Sequence, residues 1–391
     1  MAKSVLLFGN YPPPHGGVPT HIQYLSRHLV RRGWDVQVLS FSHGPAGVTH
    51  VDGCTIYRPS VRGRWLRLLA PQPADLTRLR RFGPLARQEP KSYLSWSATA
   101  HLVRMIMRRH RVAVVAAYHV LGPGVISAWV CEQLGVPLIT TVFGEIYAHP
   151  EQHRRRLAEV EYVLRQSKRM LSCSNHCAQS FRAIGLDPEV ETVYYGIDTA
   201  RFAPSLLNPA SRRVLYCARM VEEMGLHVLL QSILLVLERD PSVQFEILGR
   251  SGELTPAALE LQRRFPANLV VEPDLPDHAL PGRYDAAALT VAPSINARAC
   301  LGLAIAEAMA TGRPVIGSRV GGTAEVLVDG ETGLLVPPSD PGALADAILS
   351  LLAQPERAAA MGRAGRERAV QLFDQARTNE RMEQLFEEVM Q

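Results

Sequence analysis

The sequence has little excess charge and no apolar run that is typical of a signal peptide. Its 391 residues carry 42 basic and 37 acidic side chains, a formal net charge of +5 at pH 7. This surplus is too small to favour a nucleic acid as the partner. The apolar run at the N-terminus is short for a signal peptide and is interpreted as a first strand. We therefore expect a cytoplasmic protein that binds no nucleic acid.

One stretch is apolar enough to be considered as a membrane span. It covers residues 112–131, but it contains His119 and a Gly-Pro-Gly break at 122–124. A buried strand followed by a helix explains this pattern better than a transmembrane helix does.

Two common kinds of site lack their usual sequence pattern. The six cysteines are scattered, and four of them lie in apolar runs, so we expect reduced core thiols. Cys173, His176 and Cys177 are close in sequence, but no second ligand pair accompanies them, which favours a structural role over a metal site. No Gly-x-Gly-x-x-Gly follows the first predicted strand, which argues against a nicotinamide-dependent dehydrogenase.

The positive charge is concentrated in one segment. Between Ser60 and Pro90 there are seven arginines against only Asp75 and Glu89. Apolar residues and prolines interrupt these arginines, which suggests an exposed loop with short amphipathic pieces. Contact with an anionic acceptor or with the inner face of a membrane is one interpretation, and a solvated insertion that binds no ligand is the other.

Short aliphatic strands alternate with amphipathic helices over the whole chain, a pattern typical of parallel sheets covered by helices on both faces. The alternation restarts near Arg213 after a loop at 195–212, which predicts a domain hinge. The predicted domains are 1–203, 204–372 and a C-terminal helix at 373–391 that returns to the first domain. The helices of the first domain are predicted near 17–32, 97–109, 123–134, 151–167 and 175–184.

Residues 302–325 predict a helix followed by a buried strand. The amides of Gly302, Leu303 and Ala304 lie at the helix start, where the helix dipole favours an anion. Glu307 follows about one turn later, where its carboxylate can accept hydrogen bonds from a sugar diol. The segment therefore indicates a site for phosphate and ribose, although an ordinary βαβ crossover has the same Gly and Ala pattern.

A second candidate for anion binding follows the first predicted strand. Gly16 and Gly17 precede a helix and allow backbone amides to approach a ligand closely. A tight strand-to-helix turn without a ligand is the alternative interpretation.

Several spaced motifs, in this order along nearly the whole chain, carry a specific resemblance. They are Gly-Gly-Val-x-x-His-Ile at 16–22, Tyr-Gly-Ile-Asp-x-x-x-Phe at 195–202, Ala-Arg-x-x-x-x-Met-Gly at 218–225, Pro-Ser at 293–294, Gly-Leu-x-x-x-Glu-Ala-Met-Ala-x-Gly-x-Pro-Val-Ile at 302–316 and Gly-Gly-Thr-Ala-Glu at 321–325. With them the sequence resembles the GT-B glycosyltransferases of family 4. The resemblance implies an α/β fold of two Rossmann-like, doubly wound domains facing a central cleft. It further implies an N-terminal domain for the acceptor and a C-terminal domain for a nucleotide sugar.

The resemblance also implies roles for single residues. Gly16 and Gly17 would line the donor diphosphate and the reactive carbon, and Arg219 would neutralise the diphosphate as it leaves. Glu307 would hold the ribose, and the amides near Gly302 would meet phosphate oxygens. His119, at the end of a predicted strand, corresponds to the family histidine placed near the transferred sugar.

Three positions depart from the family pattern. Met224 stands where the family has a lysine, Ala299 where it has a glutamate, and Phe143 where it often has a histidine. Loss of a positioned charge on the leaving group typically costs about 2.7–4 kcal/mol of barrier. Arg298 and Arg250 are candidates for compensation, because a guanidinium suits phosphate oxygens, although both are equally interpreted as solvated surface arginines.

The predicted site residues fall into three sets. The catalytic set is His119, Arg219 and Gly17. The donor-binding set is Gly16, Gly17, Arg219, Gly249, Arg250, Arg298, Gly302, Leu303, Ala304 and Glu307, and the acceptor-binding set is His15, Thr20, His119 and Glu145.

The function implied is transfer of a sugar, with retention of configuration, from a UDP- or GDP-sugar to a small-molecule, lipid or glycan acceptor. The resemblance implies no metal or other cofactor, in agreement with the absence of an Asp-x-Asp motif. The altered donor contacts suggest an unusual donor sugar or a secondary-metabolite acceptor. The alternative is a degenerate relative that binds a nucleotide sugar or a partner protein without catalysis.

Overall fold

The computed structural model describes residues 3–13, 16–41, 46–59, 90–204, 211–296, 298 and 300–391. His15 and Ala299 lie outside the described residues, as does most of the arginine-rich segment between Ser60 and Pro90. The predictions made for them stay predictions.

The chain forms two compact units. The first comprises Met1–Val193 with Thr378–Gln391, and the second comprises Tyr194–Arg377. The first unit thus ends earlier than the boundary after residue 203 that the loop composition predicted.

The first unit is built on an eight-stranded sheet. Its strands are β1 (Ser4–Phe8), β2 (Asp35–Leu39), β3 (Gly47–Val51), β4 (Cys54–Arg58), β5 (Val114–Tyr118), β6 (Leu138–Val142), β7 (Ser167–Ser172) and β8 (Glu191–Thr192). The strand order is β3-β4-β2-β1-β5-β6-β7-β8. All neighbours are parallel except β3, which pairs antiparallel with β4 at the edge of the sheet. Every residue of β1, β5 and β6 is buried, as expected for central strands covered on both faces.

The described helices of the first unit, apart from the C-terminal one, are α1 (Gly17–Arg31), α2 (Pro90–Arg109), α3 (Val125–Leu134), α4 (Glu145–Ala148), α5 (Pro150–Arg155), α6 (Leu157–Gln166) and α7 (Asn175–Ala178). Helix α1 buries Ile22, Leu25 and Leu29, whose three- and four-residue spacing places them on one face. Helix α2 begins at Pro90 rather than near 97, because proline is well suited to a first helical position.

The second unit is built on a six-stranded parallel sheet. Its strands are β9 (Arg213–Cys217), β10 (Gln244–Gly249), β11 (Leu269–Pro273), β12 (Leu289–Ala292), β13 (Val315–Ser318) and β14 (Gly333–Val336). The helices that accompany them are α8 (Leu226–Arg239), α9 (Thr255–Arg264), α10 (Leu280–Ala286), α11 (Leu303–Ala310), α12 (Thr323–Val326), α13 (Pro341–Leu352) and α14 (Pro355–Leu372). The strand order is β11-β10-β9-β12-β13-β14. Counted within the unit, this is the order 3-2-1-4-5-6 of dinucleotide-binding sheets.

The strand order locates the ligand crevice of each unit. In open parallel sheets, ligands bind at the carboxyl ends of the two strands between which the order reverses. These switch-point strands are β1 and β5 in the first unit and β9 and β12 in the second. The residues that follow these four strands are therefore the candidates for ligand binding.

The last helix, α15 (Gln375–Met390), packs against the first unit from Thr378 onward. Its Glu383 is buried and accepts hydrogen bonds from Trp34 Nε1 at 3.0 Å and from Arg32 Nε at 3.1 Å. His28 Nε2 lies 3.0 Å from the same carboxylate. A buried carboxylate requires such partners, so Glu383 fixes α15 against the C-terminal end of α1.

The stretch at 112–131 forms β5, an irregular turn at Val120–Gly124 and the start of α3, which is the strand and helix that the sequence predicted. None of the helices formed by the described residues is both long enough and apolar enough to cross a bilayer.

Candidate functional site

A cavity of about 410 Å³ opens at the switch point of the second unit. Arg219 follows β9, and Ile295 and Asn296 follow β12, its neighbour in the sheet. The lining residues are Arg219, Val221, Glu222, Glu223, Glu253, Ile295 and Asn296. Of these, sequence analysis predicted only Arg219 as a site residue.

Two glycines allow the loops around this cavity to come together. Gly225, just before α8, has a φ of +73°, and a Cβ there would overlap the carbonyl oxygen of Pro293. Gly249, at the end of β10, has a φ of +128°, and a Cβ there would overlap the carbonyl of Ala218. Since only glycine tolerates both conditions, these positions set how closely the loops after the strands approach.

Arg219 is held by an acidic neighbour. Its guanidinium forms an ion pair with Glu223, four residues later, and the Arg298 Nη1 atom lies 3.8 Å from the other carboxylate oxygen of Glu223. The side chains of Arg219 and Arg298 are 51% and 52% exposed, whereas that of Glu223 is 28% exposed. The hydroxyl of Tyr216 donates to the Arg219 carbonyl at 2.9 Å and fixes the main chain. The structure therefore brings two of the three predicted arginines, Arg219 and Arg298, close to one carboxylate.

Helix α11 begins at the predicted anion-binding segment. Its N-cap, Gly302, is left-handed with a φ of +73°, and its carbonyl accepts the amide of Ile305 at 2.8 Å. Within the described part of the chain, the amides of Leu303 and Ala304 donate to no backbone or side-chain acceptor. A Cβ at Gly322 would overlap the carbonyl of Cys300, so the glycine turn supports the loop that leads into α11. These two amides lie at a helix N-terminus, where an anion is favoured, and the anion site at this position stays a prediction.

Glu307 lies in α11 and is partly buried. The buried hydroxyl of Tyr284, in α10, donates to its Oε2 at 3.0 Å. Burial raises the pKa of Glu307 to about 7, and the Tyr284 hydrogen bond only partly opposes this effect. Sequence analysis missed Tyr284, because nothing in the local pattern at 280–286 relates it to a residue two elements later.

Gly249 is the last residue of β10 and Arg250 follows it, one strand away from the switch point. The Arg250 carbonyl accepts the amide of Met220 at 2.9 Å, which ties this turn to the segment after β9. The neighbouring Asp274 has its pKa held below the usual value, chiefly by hydrogen bonds from Ser251 and less by the charge of Arg250. Arg250 thus faces an acidic group outside the residues that line the cavity.

The first unit carries a different arrangement at its switch point. His119 follows β5 with a φ of +95°, a conformation that a residue with a Cβ rarely adopts. Its Nδ1 lies 3.7 Å from Oε1 of Glu145, the first residue of α4. Glu145 also accepts the amides of Phe143 at 2.6 Å and Val120 at 3.2 Å. The ring of Phe143 meets the His119 imidazole edge-on, with 5.3 Å between centroids.

The electrostatics of this pair follow from its contacts. Burial raises the pKa of Glu145, but hydrogen bonding and charge from His119, with the Phe143 amide, outweigh burial and hold the pKa below its usual value. Glu145 is therefore a carboxylate at neutral pH and orients the half-exposed imidazole of His119. The structure thus brings together two of the predicted acceptor residues.

Gly16, Gly17 and Thr20 lie at the start of α1, after the other switch-point strand β1. Gly16 is extended and is the N-cap, and its carbonyl accepts the amide of Thr20 at 2.9 Å. Among the described residues, a Cβ at Gly16 would meet only Pro19, at 3.9 Å, and no side chain caps this helix start.

Comparison with known proteins follows the same two-part division. Residues 15–201 match the family described as Glycosyltransferase Family 4, and residues 211–354 match Glycosyl transferases group 1. The chain is a GT-B glycosyltransferase. The predicted family and fold class are thereby confirmed.

Similar proteins include two curated relatives and a solved structure. The D-inositol 3-phosphate glycosyltransferase of Corynebacterium efficiens is 30% identical over 259 residues, 61% of this chain and 60% of that protein. The MMP alpha-(1->4)-mannosyltransferase of Mycolicibacterium hassiacum is 27% identical over 390 residues, 92% and 91% of the two chains. The structure of Anabaena Alr3699/HepE in complex with UDP has a TM-score of 0.75 at 16% identity and covers 99% of this glycosyltransferase and 100% of HepE. The alignment to the first relative thus spans about three fifths of its length.

Proposed function

We propose that this glycosyltransferase moves a sugar from a UDP- or GDP-sugar to a hydroxylated acceptor with retention of anomeric configuration and without a metal ion. One observation carries the proposal. The Arg219 guanidinium lies at the switch point of a sheet with the strand order of nucleotide-binding domains. In the same unit, the Leu303 and Ala304 amides at the start of α11 donate to no acceptor among the described residues.

The relatives support a nucleotide-sugar donor. HepE was solved with UDP, and the two curated relatives are named as transferases of glycosyl and mannosyl groups. Glu307 lies one turn into α11, and its carboxylate oxygen other than the one bound by Tyr284 is suited to a ribose diol. The names of the relatives favour a polyhydroxylated acceptor, and a small molecule, a lipid or a glycan meets that description.

In the proposed step, the bond between the anomeric carbon and the β-phosphate oxygen breaks, and its electron pair stays on that oxygen. The acceptor hydroxyl oxygen bonds to the anomeric carbon from the same face, and its proton passes to the departing phosphate. Arg219 and the amides of Leu303 and Ala304 stabilise the charge that develops on the leaving group. No protein nucleophile and no metal ion are required, because the guanidinium and the helix terminus supply the positive field.

We assign the acceptor to the first unit. The Glu145 carboxylate fixes the His119 imidazole at the end of β5, and among the described residues Gly16, at the start of α1, has only Pro19 within 4 Å of an added Cβ. An imidazole oriented in this way can bind a sugar or acceptor hydroxyl through the nitrogen that does not face Glu145.

The test is release of nucleoside diphosphate from a panel of UDP- and GDP-sugars by the purified chain, with and without a chelator. Turnover that persists in EDTA is expected. Binding of no uridine or guanosine diphosphate in calorimetry contradicts the proposal, and abolition of turnover by EDTA contradicts its metal-independent part. Analysis of the product anomer by NMR tests retention.

A second candidate function is nucleotide-sugar binding without transfer. It is favoured by Glu223, which occupies the Arg219 guanidinium, and by Met224, which packs against the core of the second unit. Under this candidate, UDP or GDP raises the thermal unfolding midpoint but no donor is turned over with any acceptor.

A further inference from the structure

The cavity of the second unit is more acidic than a diphosphate site requires. Glu222, Glu223 and Glu253 line it together with Arg219. Two of these carboxylates differ in what they contact. Glu253 accepts the backbone amide of Glu222 at 2.9 Å, whereas Glu223 pairs with guanidinium groups.

Glu223 contacts the two arginines in the way that a phosphate group would. One of its oxygens pairs with Nη2 of Arg219, and the other lies 3.8 Å from Nη1 of Arg298. Its backbone is fixed as well, because its carbonyl accepts the amide of Ile295 at 3.2 Å. Two oxygens from one carboxylate therefore face two guanidinium groups, the arrangement that two oxygens of a phosphate group also adopt.

A phosphate and the Glu223 carboxylate cannot both use these guanidinium groups at short distance. Both are anions, and like charges a few ångströms apart repel in a partly buried site. The Glu223 side chain is less exposed than that of either arginine. For a phosphate to bind both guanidinium groups, Glu223 must leave this position and its ion pairs must break.

We propose that Glu223 is an internal competitor of the diphosphate for Arg219 and Arg298, and that it sets how tightly this glycosyltransferase holds its donor and releases its nucleotide product. This inference rests on the proposed function, because it assumes that a nucleoside diphosphate binds here. Glu223 is a specificity-determining residue in this scheme: it favours ligands whose two phosphates together outcompete one carboxylate.

The experiment is calorimetric titration of UDP, GDP and uridine into the wild-type chain, Glu223→Gln and Glu222→Gln. Both variants remove one formal charge from the same cavity wall, but only the first removes the contact with the arginines. We expect Glu223→Gln to bind the preferred diphosphate roughly fivefold more tightly, the ratio that matches an exposed ion pair. Glu222→Gln is expected to change the affinity less than about twofold, and uridine binding is expected to stay the same.

The outcomes separate the inference from the proposed function. An equal gain in diphosphate affinity in both variants would reflect the general charge of the cavity and would overturn the inference. Weaker binding by Glu223→Gln would show that Glu223 orients the arginines for the ligand, and it would also overturn the inference. If wild-type and both variants bind neither diphosphate, the proposed function itself fails. A thermal unfolding scan checks that Glu223→Gln is folded. If it is not, Glu223→Asp, which shortens the side chain and draws its carboxylate back from Arg298, replaces it with a smaller expected gain.

Discussion

The switch points of the two units share one topology and differ in chemistry. Both lie where the strand order reverses, between β1 and β5 in the first unit and between β9 and β12 in the second. The first presents an imidazole oriented by a carboxylate and bordered by an aromatic ring. The second presents two guanidinium groups close to one carboxylate, together with a helix start whose Leu303 and Ala304 amides donate to no acceptor among the described residues.

The difference shows what the strand order decides and what it does not. Topology fixes where a ligand binds, because parallel strands and the following helices direct their loops to one edge of the sheet. The few residues after each strand decide what is bound. A histidine and carboxylate pair suits hydroxyl groups, whereas guanidinium groups and helix amides suit phosphate.

Arg219→Ala is expected to have the largest effect on the proposed function of the second site. If the second site stabilises the leaving diphosphate, this change should lower the turnover of the donor about a hundredfold or more. Nucleoside diphosphate release under saturating donor measures the effect. Arg319→Ala, which removes an exposed arginine paired with Asp329 in the same unit, is the matched control and should retain wild-type turnover. Equal rates for Arg219→Ala and wild type would remove Arg219 from its assigned role.

Gly322→Ala tests whether backbone packing, rather than side-chain charge, forms the second site. The new Cβ would overlap the Cys300 carbonyl and displace the loop that leads into α11. We expect a loss of about 1–3 kcal/mol in the free energy of unfolding, together with weaker diphosphate binding. Denaturant unfolding and calorimetry measure the two effects.

Gly282→Ala provides the control for this change. Gly282 lies in α10, where an added Cβ meets nothing within 4 Å, so alanine should be neutral or stabilise the unit by up to about 1 kcal/mol. Equal stability and equal diphosphate affinity in the two variants would show that the Cys300 loop adapts freely.

The sequence predicted the fold better than it predicted the contacts of the candidate site residues, whose roles stay predictions. The alternation of strands and helices predicts a doubly wound fold. Gly302 predicts a helix start from the local sequence alone, independent of tertiary contacts. The edge strand β3 was not predicted, because its pattern is short and half exposed and it depends on pairing with β4. The spacing of Arg219 and Glu223 is compatible with an ion pair, but whether it forms depends on the turn that Gly225 permits.

Glu145→Gln, in the first unit, tests whether the two sites have separate roles. The glutamate accepts the amides of Phe143 and Val120, and glutamine has only one acceptor oxygen for these two donors. We expect a loss of about 1–2 kcal/mol in stability and a higher KM for the acceptor, with no change in diphosphate affinity. Glu151→Gln, at an exposed position, should alter none of these quantities. An altered UDP or GDP affinity in Glu145→Gln would contradict the separate roles of the two sites.

The smallest expected effect is a dependence of diphosphate affinity at the second site on pH. Burial raises the pKa of Glu307 to about 7 in the folded chain, from an ordinary value of 4.5. Its contribution to stability is therefore fully present below about pH 4.5 and is lost as the pH rises through about 7. Nucleotide affinity should change with pH in the opposite direction and rise as Glu307 ionises. The reason is that only the ionised carboxylate accepts two hydrogen bonds from the ribose hydroxyl groups.

Diphosphate affinity should accordingly increase between pH 6 and pH 8, by at most about tenfold, the change in the ionised fraction of a group with this pKa. Glu307→Gln provides the reference, since glutamine still accepts from Tyr284 but does not titrate. Because the ligand's own phosphates ionise in the same range, the difference between wild type and Glu307→Gln is the quantity to measure. Parallel pH profiles for the two proteins would mean that Glu307 does not bind the ribose as a carboxylate, and the second site would then rest on Arg219 and the α11 amides alone.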